Sequence, residues 1–433
     1  MENENQNNVV ANRIMFAMLF SVIAFAAFVI FMPVPEYTFG FETIDEMVKD
    51  ANSKDEFVKP DVYKPGSYKS YKRCTWRKYR GKIDKSLIGR KLERLLFSMG
   101  LKKTPAWSPS YFRHLIKKQA KEKPKKGYRS EYVVRLVPSE NARFVIWGDL
   151  HGAYHSLVRG LQKLISLNIL SKDLKIISPN DYIVFLGDAV TQSPFVRETI
   201  SVMAKLEEKN RGQVWYIAGN NERIDSWQEH VLGDAYKRFT PWAKEEEPFS
   251  STLVDYFHTL PLGLYLSVPP HNSDEFVRIS HFSRITRSHV KYRGLQQLLY
   301  DENYADKLLA DRETNKQKLI PLRDESNTDR THVDVKAIIN SVFKRSVYKK
   351  EMKGLQELLP DAGVPAWTVV SCPSFVFSDY LGYKHDAFAI LQAAPKIEDW
   401  TITRYSREVK TKEDFQATTY NLLRGTELSE KNN

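Results

Sequence analysis

From about Tyr132 onward, short apolar runs alternate with stretches whose apolar positions recur every three or four residues. RFVIW at 143–147 predicts a buried strand, and 155–167 follows with Leu157, Leu161, Leu164 and Ile165 on one helical face. YIVFL at 182–186 predicts a second strand, 195–208 a second helix, and VWYIA at 214–218 a third strand. Three strands joined by two helices form a βαβαβ unit with a parallel sheet. Each strand leaves through a glycine into polar residues: Gly148-Asp149-Leu150-His151-Gly152, then Gly187-Asp188, then Gly219-Asn220-Asn221-Glu222. Open α/β sheets bind ligands at that edge. Farther along, FVRIS at 276–280 runs into His281, and WTVV at 367–370 into Ser371-Cys372-Pro373. Helical spacing in 295–309 and 335–359, around the polar stretch 322–331, predicts a helical insertion over about 290–360. Residues 406–433 read as a polar, frayed tail.

The amino-terminal pattern differs. Residues 14–32 contain no charge, and Ser21 is the one polar side chain. At 1.5 Å per residue such a helix matches the roughly 30 Å hydrocarbon core of a bilayer. A cleaved signal peptide is the alternative, but the run is longer than a signal core and exits through Met32-Pro33 rather than a small-x-small site. We read a polar tail at 1–13 and a single-pass membrane helix at 14–32.

Charge sharpens this picture. Residues 54–129 hold 24 Lys and Arg against 6 Asp and Glu, a local net of +18, so the rest of the chain carries −6 of the total +12. Within it, 63–82 interleaves Tyr and Trp with cations. Behind a membrane anchor, such a basic juxtamembrane region (33–130) suits an anionic membrane surface, at about 1 kcal/mol per cation; a solvated linker is the plainer reading. No nucleic-acid module is recognisable, so nucleic acid is not the expected partner. The basic flank favours a cytosolic carboxy-terminal domain over 131–405. Cys74 and Cys372 are the chain's two cysteines and make no disulfide framework.

The strand ends carry the chemistry. Asp149, His151, Asp188 and Asn220 bring two carboxylates, an imidazole and an amide oxygen to one sheet edge, a donor set for Mn, Fe or Zn. A carboxylate between two ligand groups can bridge two ions about 3.5–4 Å apart. Singly, Asp or Asn after a strand is explained as a turn or cap. Three strand ends in succession point to a metal site.

GDLHG, GDAV and GNNE in this order resemble the calcineurin-like metallophosphoesterases, and Gly152 after His151 resembles the phosphoprotein phosphatase branch. The resemblance spans about 143–395. It implies an α/β fold, a four-layer α/β sandwich with two divalent metal ions between the sheets, and a phosphoester or phosphoprotein substrate. By position, Asp149 and His151 would hold the first ion, Asp188 would bridge, and Asn220 and His281 would bind the second. Cys372 stands where another metal histidine is expected; it would be a thiolate ligand or a small buried hydrophobe. Asn221 occupies the place of the general-acid histidine, which with Asp188 makes up the expected catalytic pair.

The departures raise a second reading. Thr191, Gln192 and Ser193 replace Asp-Arg-Gly, removing a phosphate-binding arginine, and Phe282-Ser283 follows His281 in place of two glycines. Losing a general acid costs about 10²–10⁴ in rate, and losing a clamp a further 10²–10³ or so. Arg197, Arg223, Arg284 and Arg287 are candidate replacement clamps, and His155 a candidate replacement acid. Two expectations follow: a membrane-anchored metallophosphoesterase, or a catalytically impaired pseudophosphatase serving as a membrane-tethered scaffold.

Overall fold

A computed structural model describes residues 15–21, 24, 41, 43–54, 56, 109–122, 133–190, 193, 195–222, 253, 256–257, 259–261, 263–269, 275–281, 334–341, 353–358, 364–373, 383–411 and 413–428. The chain divides into two compact units, 1–40 with 68–111, and 41–67 with 112–433. In the first, residues 15–21 are helical and Met15, Phe16, Met18, Leu19 and Phe20 are exposed. Among the described residues no helix is long and apolar enough to cross a membrane. The expected span 14–32 falls largely outside them, as do most of the basic segment 54–129 and the stretch 295–309.

The second unit is built on two six-stranded sheets. One runs β12(Gln416–Asn421), β11(Thr401–Glu408), β10(His385–Gln392), β2(Arg143–Trp147), β3(Asp181–Phe185), β4(Val214–Tyr216). The other runs β1(Val133–Leu136), β5(Gly263–Ser267), β6(Glu275–Ser280), β7(Asp334–Asn340), β9(Ala366–Val369), β8(Leu355–Leu358). Strands β2, β3 and β4 are parallel, as the βαβαβ pattern predicts, and so are β6, β7 and β9. Their carboxyl ends supply the site.

Alternation explains the layers. Phe144 and Ile146 of β2 enter a core with Val184, Leu264, Ile279, Ile339 and Val369, drawn from both sheets. Trp147 points to the opposite face, stacks on Phe185, and lies against α3(Tyr154–Ser166), where a Cβ on Gly160 would sit 3.1 Å from its indole. Helix α4(Val196–Lys209) follows β3. Helix α2(Pro109–Glu122) meets α4 through Lys118 on Glu208 at 2.7 Å and Gln119 on the Ala204 carbonyl at 3.3 Å. Helix, sheet and sheet are therefore three of the four expected layers within the described residues.

Three expectations change. The helical insertion at 290–360 is corrected at its carboxyl end, where β7 and β8 are strands. Val335, Ala337, Ile338 and Ile339 satisfy both periods, and sheet pairing decides the outcome. The frayed tail at 406–433 is corrected too: β11 continues to Glu408 and β12 pairs with it antiparallel over six registered positions. The half-exposed strands β11 and β12 carry Thr, Tyr and Arg, so composition resembles a tail while β propensity does not. Finally, part of the region read as juxtamembrane belongs to this unit. Helix α1(Ile44–Asn52) buries Ile44, Met47 and Ala51 and docks on α3, where Tyr154 Oη donates to the Met47 carbonyl at 3.2 Å.

Candidate metal centre

The end of β2 is pinned from the opposite sheet. Its backbone runs so close to β9 that a Cβ on Gly148 would lie 2.0 Å from the Val369 carbonyl oxygen, so only glycine fits. One residue on, Asp149 makes a parallel bridge to Val370. Two serines at strand ends complete the clamp. Gly148 N–H donates to Ser371 Oγ at 2.7 Å, and Asp149 N–H to Ser341 Oγ at 2.6 Å, while that hydroxyl donates to Asp149 Oδ1. This orientation leaves Asp149 Oδ2 buried with no hydrogen-bond partner among the described residues, 3.7 Å from His151 Nε2. An orphaned carboxylate oxygen is costly unless a cation meets it.

The loop after β3 reaches the same place. His151 and Asp188 both adopt left-handed backbone, φ 44° and 50°, uncommon for residues with side chains and concentrated at functional sites. His151 N–H donates to the Asp188 carbonyl at 2.8 Å, tying the two loops together. Ligand atoms of Asp149, His151 and Asp188 all lie within 4.8 Å of one another, and all three residues are buried. His281, at the end of β6, completes the far side. Its Nδ1 lies 2.8 Å from the Leu186 carbonyl, which can only accept, so Nδ1 carries hydrogen. In the neutral ring Nε2 is then a lone-pair donor, 3.7 Å from Asp188 Oδ1. Fixing a histidine tautomer through its other nitrogen is the usual support of a metal ligand.

The GNNE turn, a 3-10 helix over Asn220–Glu222, holds Asp188 from below. Asn221 donates twice to it: backbone N–H to Oδ1 at 2.9 Å, side-chain Nδ2 to Oδ2 at 2.5 Å. Glu222 is buried and accepts from the N–H groups of Asp188, Ala189 and Gly219 and from the Tyr216 hydroxyl. Burial and the neighbouring Asp188 charge push its carboxyl above the usual range, while those donors pull it back.

The expected residues are not all gathered here. Asp149, His151, Asp188, Asn221 and His281 converge; the Asn220 side chain, Thr191 and Gln192 lie outside the described residues, as do Arg223, Arg284 and Arg287. Cys372 is buried and free and falls outside the Asp149/His151/Asp188 group. Burial, then the charges of Asp149 and Asp386, push its thiol well above the ordinary range, which favours the small-hydrophobe reading. His155 is not positioned as a replacement acid: its Nε2 lies 3.0 Å from the Ala51 carbonyl and 3.3 Å from that of Lys54. Arg197 lies 3.9 Å from Glu198. Sequence reading passed over Ser341, Ser371 and Glu222. Glu222 stood in the quoted motif, and an acid at the end of a buried turn was a usable signal.

Residues 142–348 match the family model of the calcineurin-like phosphoesterases. The chain has a calcineurin-like phosphoesterase fold. No curated protein matches it. Among solved structures, it is similar to a protein serine/threonine phosphatase from Saccharomyces cerevisiae, itself described as similar to human phosphatase PP5. The identity is 14%, covering 75% of this chain and 97% of that one, with a TM-score of 0.47. A cold-active protein-tyrosine phosphatase of a psychrophilic Shewanella species is 14% identical over 65% of this chain and 84% of its own, TM-score 0.40. A putative diadenosine tetraphosphatase is 15% identical over 60% and 93%, TM-score 0.31. The buried Asp149, His151 and Asp188 donors and the orphaned Asp149 Oδ2 fit a divalent cation.

Proposed function

We propose that the chain is a metal-dependent phosphoester hydrolase held at a membrane by its amino-terminal segment. The observation that carries the hydrolase reading is the buried Oδ2 of Asp149, unpartnered among the described residues and facing His151, with Asp188 and His281 alongside. Asp149 and His151 would hold the first ion, Asp188 would bridge, and His281 Nε2 with Asn220 would hold the second; we leave Cys372 out of the set. Divalent ions of the Mn, Fe or Zn type supply an activated water and a clamp for phosphoryl oxygens when bound. Ser341, Asn221 and Glu222 keep the carboxylates aimed. The substrate is a phosphoester, a phosphoprotein among the candidates. For the anchor, the support is the uncharged run 14–32 and its exposed apolar helical residues, followed by the basic stretch 54–129 against anionic lipid on the cytosolic side.

The test uses the full chain in detergent. Metal content is measured after loading with Mn²⁺, then hydrolysis of 4-nitrophenyl phosphate against an Asp188→Asn control. Bound metal with turnover at least about tenfold above the control is expected. Bound metal with no turnover above it would overturn the enzyme reading and leave the pseudophosphatase scaffold, which the engagement of Asn221 with Asp188 favours. Membrane association resistant to carbonate is expected to vanish on deleting 14–32; if it persists, the basic segment is the tether.

A further inference from the structure

We propose that Asn221 is a positioning residue of the metal centre and that, as a consequence, the site takes phosphoesters with an acidic leaving oxygen, aryl phosphates above all. This rests on the hydrolase reading and names its substrate class. At the position where the family resemblance places a proton donor for the leaving group, the Asn221 backbone N–H and one of its two Nδ2 hydrogens are committed to Asp188 instead. Each takes one oxygen of Asp188, at 2.9 and 2.5 Å, so one residue grips both ends of the bridging carboxylate. The turn beneath packs directly against it. A Cβ on Gly219 would lie 2.4 Å from Asp188 N and 2.4 Å from its Oδ1, and Glu222 Oε2 receives both Gly219 N–H and Asp188 N–H.

The chemistry follows from that commitment. When the scissile P–O bond breaks, its electron pair stays on the leaving oxygen. An alkoxide needs a proton at once, and an amide N–H does not yield one near neutral pH. A phenolate leaves without it, the conjugate acid having a pKa of about 10. Among the described residues the nearby imidazoles are otherwise engaged: His155 is bound to the α1 end, His151 Nε2 faces Asp149 Oδ2 at 3.7 Å, and His281 Nδ1–H is spent on the Leu186 carbonyl. Discrimination between aryl and alkyl phosphates should therefore reach the ~10²–10⁴-fold worth of a general acid.

Two readouts on the full chain test this. Calorimetric titration with Mn²⁺ should show ~10–100-fold weaker binding in Asn221→Leu, the range for removing a group that orients a ligand, with little change in the melting temperature of the EDTA-treated protein. Asn221→His keeps a ring N–H donor: Mn²⁺ affinity should stay within a few-fold, while hydrolysis of O-phosphoserine rises relative to O-phosphotyrosine. Wild-type Mn²⁺ affinity in Asn221→Leu overturns the positioning role. If that variant does not fold, the histidine variant decides: a raised serine-to-tyrosine ratio with bound Mn²⁺ supports the proposal, and an unchanged ratio overturns it. Equal rates on the two phosphoamino acids in the wild type overturn the substrate class. Absence of turnover on any ester overturns the hydrolase reading itself, while the calorimetry still decides what Asn221 does.

Discussion

Glu222 gathers four donors, three backbone N–H groups at 2.7–3.0 Å and the Tyr216 hydroxyl at 2.6 Å. Replacing one carboxylate oxygen by an amide would aim N–H at N–H, so Glu222→Gln should destabilise the fold by about 1–3 kcal/mol. Urea denaturation measures this, with Tyr216→Phe as the milder comparison at about 1 kcal/mol. Ser341 acts differently, because it touches the ligand carboxylate directly. Ser341→Ala removes the acceptor for Asp149 N–H and the donor to Oδ1. We expect Mn²⁺ affinity to fall ~10–100-fold, the range for outer partners of metal ligands; calorimetry giving wild-type affinity would show that the strand end alone holds Asp149.

The docking of α1 on α3 shows how a segment near the basic run becomes part of the unit that carries the candidate site. Arg159 of α3 spans two acids, Glu56 at 2.5 and 2.8 Å and Asp386 at 2.6 and 3.0 Å. Beside it His155 meets the α1 end at the carbonyls of Ala51 and Lys54. Burial lowers the His155 pKa, with Arg159 adding to the effect and Glu56 opposing it. A histidine whose folded pKa lies below its unfolded value of about 6.5 adds stability that is full above 6.5 and is lost as pH falls toward the folded value. Denaturation midpoints should therefore drop below pH 6.5, and His155→Gln should remove that part of the slope. Arg159→Met leaves Asp386 buried without its main partner and should cost about 3–5 kcal/mol, read from the same midpoints. These elements also show what the sequence carried. The strands β2 and β3 were legible because each is an apolar run closed by a glycine, and α3 because Leu157, Leu161 and Leu164 recur at helical spacing. Helix α1 had a usable signal, Thr43 with Glu46 three residues on, where Thr43 N–H donates to Glu46 Oε2 at 3.2 Å; its place between the apolar run 14–32 and the basic segment from Lys54 masked it. Ser341 and Ser371 had none, since each acts on a strand end 192 or 223 residues away. The hydroxyl's role exists only once the two sheets meet.

That meeting has a thermodynamic consequence for the unit of 41–67 and 112–433. Strands from both sheets converge where Asp149 bridges Val370, so the carboxylates of Asp149 and Asp188 are buried by the same packing that forms the core. Without a cation the fold holds these acids close together, with His281 Nδ1 3.6 Å from Asp149 Oδ1 and Nε2 3.7 Å from Asp188 Oδ1. Unfolding would separate the ligands, so a metal that needs all of them binds the folded state and stabilises it by mass action. At a free Mn²⁺ concentration 100 times its dissociation constant the gain is about 2.7 kcal/mol. Melting temperature should rise with added Mn²⁺, fall with EDTA, and lose this dependence in Asp149→Asn, whose amide keeps the size but not the charge. The slope of stability against the logarithm of Mn²⁺ concentration also counts the ions. One ion gives RT per natural-log unit, two bound together give twice that, and a single-ion slope in the wild type would mean that His281 and Asn220 do not complete a second site.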